Sequence, residues 1–350
     1  MADLNRLFCG DNLAVLQNDI AGESIDLCYI DPPFHSRRNY QSRGSRQGFR
    51  DTWSWDVDAQ TGLATLRAQA SKAGQMLAAM EPVIGQSGLL AYLVSVAQRA
   101  SAIHRVLRPT GSLFLHCDPT AGHYLKLVLD AIFQDEGGGF RNEIVWCYSH
   151  GGRSRKWFGR KHDTIFFYAK SAASYFDPRA VRTAMRSGTH SFGGRLITGE
   201  DGRKYRLVYG TRNSHGVVRY YKYYLDEGKL PEDWWTDINS LQASAAERTG
   251  YPTQKPEALL ARIIAACSRP GDTVLDAYCG SGTTLVAAER AGRRWVGIDS
   301  ASEAIAITLD RLRTTFGNDA VERVAIEGLP EERIATGPDT ATRIDEARPR

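Results

Sequence analysis

Residues 272–300, "DTVLDAYCGSGTTLVAAERAGRRWVGIDS", limit this chain more than any other stretch. An apolar run stops at Asp276, two glycines follow in "CGSG", "TTLVAAERAG" keeps helical spacing, and "RRWVGIDS" is a second apolar run stopped by Asp299. Parallel strands need a crossover helix between them, so this βαβ unit commits the chain to an α/β sheet with helices on its faces. Other stretches agree. "SIDLCYIDPP" (24–33), "SLFLHCD" (112–118), "NEIVWCY" (142–148) and "DTIFFYA" (163–169) read as apolar strands, and "AGHYLKLVLDAIF" (121–133), "PEALLARIIAACSRPG" and 301–316 as helices. Residues 59–107 read as mainly helical, stopped by Pro109 and Gly111.

The 350 residues allow one large α/β domain or a core with a smaller module. A net charge of +4 is modest, so any affinity for nucleic acid rests on local clustering. No apolar run has the length of a signal peptide or a bilayer span, which predicts a cytoplasmic protein without a membrane partner. The six cysteines include no CxxC pair, so neither a zinc site nor a disulfide frame is expected, and no metal. From about 171 to 250 the composition shifts to Arg, Lys and Gly with the tyrosine-rich "VVRYYKYYLDEGKLPEDWW" (217–235), the mark of a separate small module. Three basic stretches could track phosphates: the Gly/Ser-rich loop "HSRRNYQSRGSRQGFR" (35–50), "GGRSRKWFGRK" (151–161), and 179–222. Each reads equally as a solvated loop. The first is expected to be mobile and to close over a bound duplex, and the tail 335–350 to be loose.

The glycine loop offers backbone that a ligand can approach and a helix N-terminus with free N–H groups. Asp299, about 20 residues further on, stands where a carboxylate grips ribose hydroxyls. A nicotinamide fingerprint fails because Leu285 occupies its third glycine, and a P-loop fails because Thr283 stands where lysine belongs. S-adenosylmethionine, or a tight structural turn, remains.

"YIDPPFHS" (29–36) puts Asp31, Pro32, Pro33 and Phe34 where a buried strand stops. The amino nitrogen of adenine or cytosine is a poor nucleophile because its lone pair is delocalised into the ring. Two acceptors fixed on its two N–H bonds favour the sp³ geometry it needs to attack a methyl sulfonium. Asp31 can be one acceptor and the carbonyl of Pro32 the other, while Phe34 can stack on a base taken out of the duplex. A Pro-Pro strand terminator with an Asp cap is the structural alternative. Cytosine C5 chemistry needs a nucleophilic cysteine just after a proline, and no cysteine here follows one.

"FCGDN", "IDLCYIDPPF", "VLRPTGSLFLHCDP", "NEIVWCY", "RKHDTIFFYAK", "GYPTQKPEALLARII" and "VLDAYCGSGTT" together resemble the β-class DNA amino-methyltransferases, mainly adenine-N6 enzymes, over about residues 7–316. The resemblance implies a Rossmann-like class I methyltransferase fold of seven core strands, circularly permuted so that the catalytic strand comes first, with a small inserted target-recognition module. It divides the chain into a catalytic half (1–170), the module (171–250), a cofactor-binding half (251–334) and the tail. It places Asp31, Pro32, Pro33 and Phe34 on the catalytic motif, and Asp276, Ala277, Cys279, Gly280, Gly282 and Thr283 on the S-adenosylmethionine loop. Asp299 becomes the ribose acid and Asp11 the acid that meets the cofactor's adenine amino group. Thr253, Gln254, Lys255 and Pro256 fall next to the methionine end, where Lys255 could neutralise the carboxylate. Where the family usually carries "DPF" before its glycine loop, this chain has Asp276-Ala277-Tyr278. The substrate implied is duplex DNA, with adenine favoured over cytosine-N4 because the motif begins with Asp. An RNA or protein amino-methyltransferase and a catalytically silent DNA-binding protein are more remote readings. A homodimer through helices of 59–107 and a cognate restriction endonuclease are the partners such an enzyme suggests. His116 and His162, each beside a strand, read as packing or hydrogen-bonding residues.

Overall fold

The computed structural model describes residues 4–34, 52–134, 137–149, 155–183, 196–212, 216 and 218–329. The basic loop at 35–50, part of the other two basic stretches and the tail at 335–350 lie outside these. In chain order the elements are β1 (Asn5–Cys9), α1 (Asn12–Asn18), β2 (Ile25–Ile30), α2 (Val57–Ala68), α3 (Lys72–Ile84), α4 (Gly88–Val106), β3 (Leu107–Cys117), α5 (Gly122–Phe133), β4 (Gly139–Cys147), β5 (His162–Ala169), β6 (Leu196–Thr198), β7 (Lys204–Arg212), β8 (Val218–Tyr224), β9 (Trp234–Trp235), α6 (Glu257–Cys267), β10 (Thr273–Asp276), α7 (Thr283–Arg290), β11 (Arg294–Asp299), α8 (Ser302–Phe316), α9 (Asn318–Glu322) and β12 (Val324–Glu327).

Nine strands form one sheet in the order β12-β1-β11-β10-β2-β3-β5-β4-β9. The first six run parallel, β5 is antiparallel to both β3 and β4, and β9 adds parallel to β4. The central strands are apolar throughout because both faces are covered. Along β2, Leu27 and Tyr29 enter one hydrophobic cluster with α6, α7 and α8, while Cys28 and Ile30 enter the other with α1, α4 and α5. Leu113, Phe114 and Leu115 alternate in the same way on β3, as the two-residue repeat of a strand requires.

Asp26 breaks the apolar run of β2 and is nonetheless buried. Both its oxygens accept from Arg108 Nη1, at 2.8 and 2.6 Å, and Oδ2 also accepts from the Thr273 N–H at 2.9 Å. One carboxylate thus ties β2 to β3 and to β10. The helix predicted to stop at Pro109 ends at Val106, and "LRPTG" is already strand, paired through Leu107 and Ile25 before a register shift. Pro109 is tolerated there because the ladder is irregular at that point.

The Tyr- and Arg-rich segment forms a second, three-stranded antiparallel sheet, β6-β7-β8. The residues flanking it return to the large sheet: the Asp177 N–H donates to the Ala266 carbonyl at 2.7 Å, and Val181, Trp235 and Ile238 are buried against α6 and β4. Tyr209 and Tyr220 pair across strands with ring centroids 5.1 Å apart and stay largely exposed, as does Tyr221.

Candidate active site

The sheet order makes β10 and β2 neighbours, with Val274 opposite Leu27 and Leu275 opposite Cys28. The glycine loop and the DPPF corner, some 250 positions apart in the chain, therefore leave the same sheet edge side by side. A cavity of about 540 Å³ opens there, lined by 10–12, 29, 31–34, 251–255, 276–281, 283–284, 299–301 and 303, with Arg99 of α4 and Leu260 of α6. Of the residues singled out in the sequence, Asp11, Asp31, Pro32, Pro33, Phe34, Thr253, Lys255, Asp276, Ala277, Cys279, Gly280, Thr283 and Asp299 all line it.

Gly282 does not line the cavity. It starts α7 at φ +73°, and a Cβ there would meet the Thr308 side chain at 2.7 Å, so it shapes the loop from behind. The Thr308 hydroxyl in turn donates to the Gly280 carbonyl at 3.0 Å. At Gly280, φ +50°, a Cβ would press on the Tyr251 ring at 3.0 Å, closing the gap between loop and ring. Cys279 is buried, with its thiol beside Gly297 of β11, and burial pushes the thiol's pKa up. The Thr283 hydroxyl accepts from Arg311 Nη1 at 2.8 Å and Ala277's carbonyl from Asn12 Nδ2 at 2.8 Å, so both act as structural ties. Ala277 and Tyr278, in place of the family's proline and phenylalanine, leave the loop's backbone intact: the Tyr278 N–H donates to Asp276 Oδ1 at 2.9 Å.

Four aspartates line the cavity, each held differently. Asp276 is buried and also accepts from the Thr284 hydroxyl. Burial, reinforced by Asp31 and Asp299 and opposed by those two hydrogen bonds, pushes it up to about 7. Asp299 accepts from the Gly280 N–H and the Ala301 N–H, both at 2.9 Å, and burial raises it despite them. Asp11 caps α1 by accepting from the Ala14 N–H at 3.0 Å and pairs with Arg99 Nη2 at 3.0 Å. Asp31 receives the ammonium of Lys255, whose Nζ also lies 5.3 Å from the centre of the Phe34 ring. Lys255 thus reaches the DPPF corner, where the sequence reading put it only at the methionine end. Gln254 staples its own loop, accepting from the Thr249 N–H at 2.8 Å and donating to the Glu247 carbonyl at 2.7 Å. Thr253 takes a left-handed φ of +60° in that loop.

Sequence reasoning missed Asn12, Arg99, Tyr251, Thr284 and Arg311. Asn12, Arg99, Tyr251 and Arg311 act through contacts between segments distant in sequence, which no local pattern marks, while Thr284 reaches back across the glycine loop to Asp276. His116 is a hydrogen-bonding residue as expected, in a setting the sequence did not show. Fully buried, it faces the Tyr29 hydroxyl at Nδ1 (2.8 Å) and Asp163 Oδ2 at Nε2 (3.1 Å), while the Tyr148 hydroxyl donates to Asp163 Oδ1 at 3.0 Å. Burial works to raise Asp163, yet the hydrogen bonds and charge of His116, with Lys255 and Tyr148, bring it below the usual carboxylate range. Among the described residues no cluster of His, Cys, Asp and Glu could hold a metal ion, and no helix is long and apolar enough to cross a membrane.

The fold is that of the class I S-adenosylmethionine-dependent DNA methyltransferases: the solved PvuII DNA methyltransferase (cytosine-N4-specific) superposes with a TM-score of 0.55 at 15% identity, covering 92% of this chain and 95% of that one. The chain belongs to the DNA methylase family that comprises N6 and N4 enzymes, whose family model matches residues 25–310. Its relatives include the DNA adenine methyltransferase YhdJ of Escherichia coli K12, 28% identical over 320 residues (91% of this chain, 86% of the relative). The type II methyltransferase M.HpaI of Haemophilus parainfluenzae is 24% identical over 319 residues (91% and 77%). The protein is a DNA methyltransferase, and its methyl donor is S-adenosylmethionine. The cavity fits that donor. Its volume is in the range of small-molecule sites, glycine backbone faces it beside the start of α7, and carboxylates stand at separate points around it as acceptors for hydroxyl and amino donors.

Proposed function

We propose that this chain methylates the exocyclic N6 amino group of adenine within a specific duplex DNA sequence. The observation that carries this is Asp31, which stands on the cavity wall beside Pro32 and Phe34, one strand away from the glycine loop. S-adenosylmethionine, when bound, supplies a methyl group on a sulfonium sulfur. Asp11, Asp276, Asp299, Gly280, Thr253 and Lys255 are the residues that would hold it.

The chain's own part is to receive and shape the amino group. Asp31 accepts one N–H and the Pro32 carbonyl accepts the other, so the nitrogen lone pair is freed from the ring as it becomes sp³. Lys255 fixes the orientation of the Asp31 carboxylate through Oδ2, and Oδ1 is the acceptor for the substrate. Phe34 offers a face for a flipped purine. The proton released by the methylated amine passes to Asp31 or to water.

Adenine is favoured because the motif begins with Asp and because the relative YhdJ is named an adenine enzyme. The fold likeness to a cytosine-N4-specific enzyme supports the second reading, in which the same corner holds cytosine. The sheet β6-β7-β8, with exposed tyrosines among Arg and Lys, is the candidate target-recognition module. A homodimer through the helices of 59–107, a cognate restriction endonuclease and a cytoplasmic location belong to the same proposal. Tritiated-methyl transfer to duplex DNA, RNA and total protein, followed by mass spectrometry of the modified bases, tests it. N6-methyladenine in duplex DNA is expected. N4-methylcytosine as the sole product would overturn the base assignment, and labelling of RNA or protein instead of DNA would overturn the substrate.

A further inference from the structure

Four neighbouring strands bring one polar side chain each to the edge of the sheet that carries the site. Tyr29 lies on β2, His116 on β3, Asp163 on β5 and Tyr148 just beyond β4, and they form one unbroken hydrogen-bonded chain. Buried polar groups cost stability unless satisfied, and a fully satisfied network holds one arrangement. The ionised Asp163 can only accept, so Nε2 of His116 carries a proton toward it, while Nδ1 meets the Tyr29 hydroxyl. The imidazole is thereby held in position from both ring nitrogens.

On that imidazole rests the aromatic residue of the catalytic motif. Phe34 stacks on His116 with centroids 5.9 Å apart and planes 28° from parallel, and the edges of Trp146 (87°) and Tyr29 (89°) wall the imidazole. Phe34 follows two prolines and sits outside any regular element, so no backbone ladder sets its ring plane.

We infer that His116, held by Tyr29 and Asp163, is the positioning residue that sets the plane of Phe34 and with it the placement of the target base against Asp31. It touches neither the base nor the cofactor and works entirely through Phe34. The inference rests on the reading of Phe34 as the stacking platform given above.

A double-mutant cycle tests it, with turnover on unmethylated duplex DNA and calorimetric cofactor affinity as the readouts. His116→Gln keeps an amide donor for Asp163 but removes the ring, and Tyr29→Phe removes the hydroxyl that fixes Nδ1. Each should lower kcat, the former by about tenfold to a hundredfold, the cost of a small misplacement at the reacting centre. Cofactor affinity should not change. Combined with Phe34→Ala, neither should slow the enzyme further than Phe34→Ala alone. Losses that multiply, losses matched by weaker cofactor binding, or single variants that turn over normally would overturn the inference while leaving the proposed function standing. Should His116→Gln fail to fold, Tyr29→Phe, which removes one oxygen, decides alone. Full turnover by Phe34→Ala would remove the platform itself and this inference with it.

Discussion

Asp31 and Asp299 are both carboxylates on one cavity wall, yet their surroundings differ. Among the described residues Asp31 is held by one cation, Lys255, which leaves it acceptor capacity, whereas Asp299 accepts from two backbone N–H groups that shape the loop. Asp31→Ala should therefore bind S-adenosylmethionine much as the parent does and lose nearly all turnover. Asp299→Ala should weaken that binding by about 1–3 kcal/mol, the loss expected for hydrogen bonds to a charged group. Calorimetric titration beside methyl-transfer rates separates the two, and normal turnover by Asp31→Ala would refute its role. Asp276 gives a pH signature. Its carboxyl, raised to about 7 by burial, keeps a proton in the folded protein between about pH 4 and 7, where the unfolded chain has released it. Stability from this group is thus greatest below pH 4, falls as pH rises through that window, and levels above 7. Denaturant midpoints of the parent relative to Asp276→Asn should fall over the same interval, and a flat difference would refute the assignment.

At the scale of elements, the glycine loop shows why the DTVLDAYCGSGTT stretch was legible. Its turn needs left-handed backbone at Gly280 and Gly282, and glycine is the residue that supplies it, so chain geometry leaves a mark in sequence. Gly282→Ala should cost about 1–3 kcal/mol through its positive φ, besides the contact with Thr308, lowering the denaturant midpoint. An unchanged midpoint would show that the loop can relax. The central strands were legible because burial on both faces leaves them continuously apolar. The irregular β3 start at Leu107 and the paired ends of the tyrosine-rich segment were not. Neither Pro109 nor the Trp234–Trp235 pair announces which strand it will lie beside, since pairing is decided by partners far along the chain.

Across the whole molecule, the site is an assembly of both ends of the chain, with Asp11 and Asp31 from the first strands and Asp276 and Asp299 from the last. A ligand seated there touches both halves and should stabilise them together. S-adenosylmethionine at a hundredfold excess over its Kd should add about 2.7 kcal/mol and raise the melting temperature in one cooperative transition. Asp31→Ala should keep that gain, and two separate transitions, only one of them ligand-dependent, would contradict a jointly built pocket.

Sequence by itself determined the α/β class and the places of the two loops, because glycine, proline and acidic residues at strand ends record local backbone demands. Only tertiary structure decided how those loops meet. The adjacency of β10 and β2, the clamp of Arg99 on Asp11, the reach of Lys255 to Asp31 and the buried line from Tyr29 to Tyr148 all join segments remote in sequence. Such contacts depend on sheet order, and sheet order is set by the packing of whole faces, which no single stretch of residues encodes.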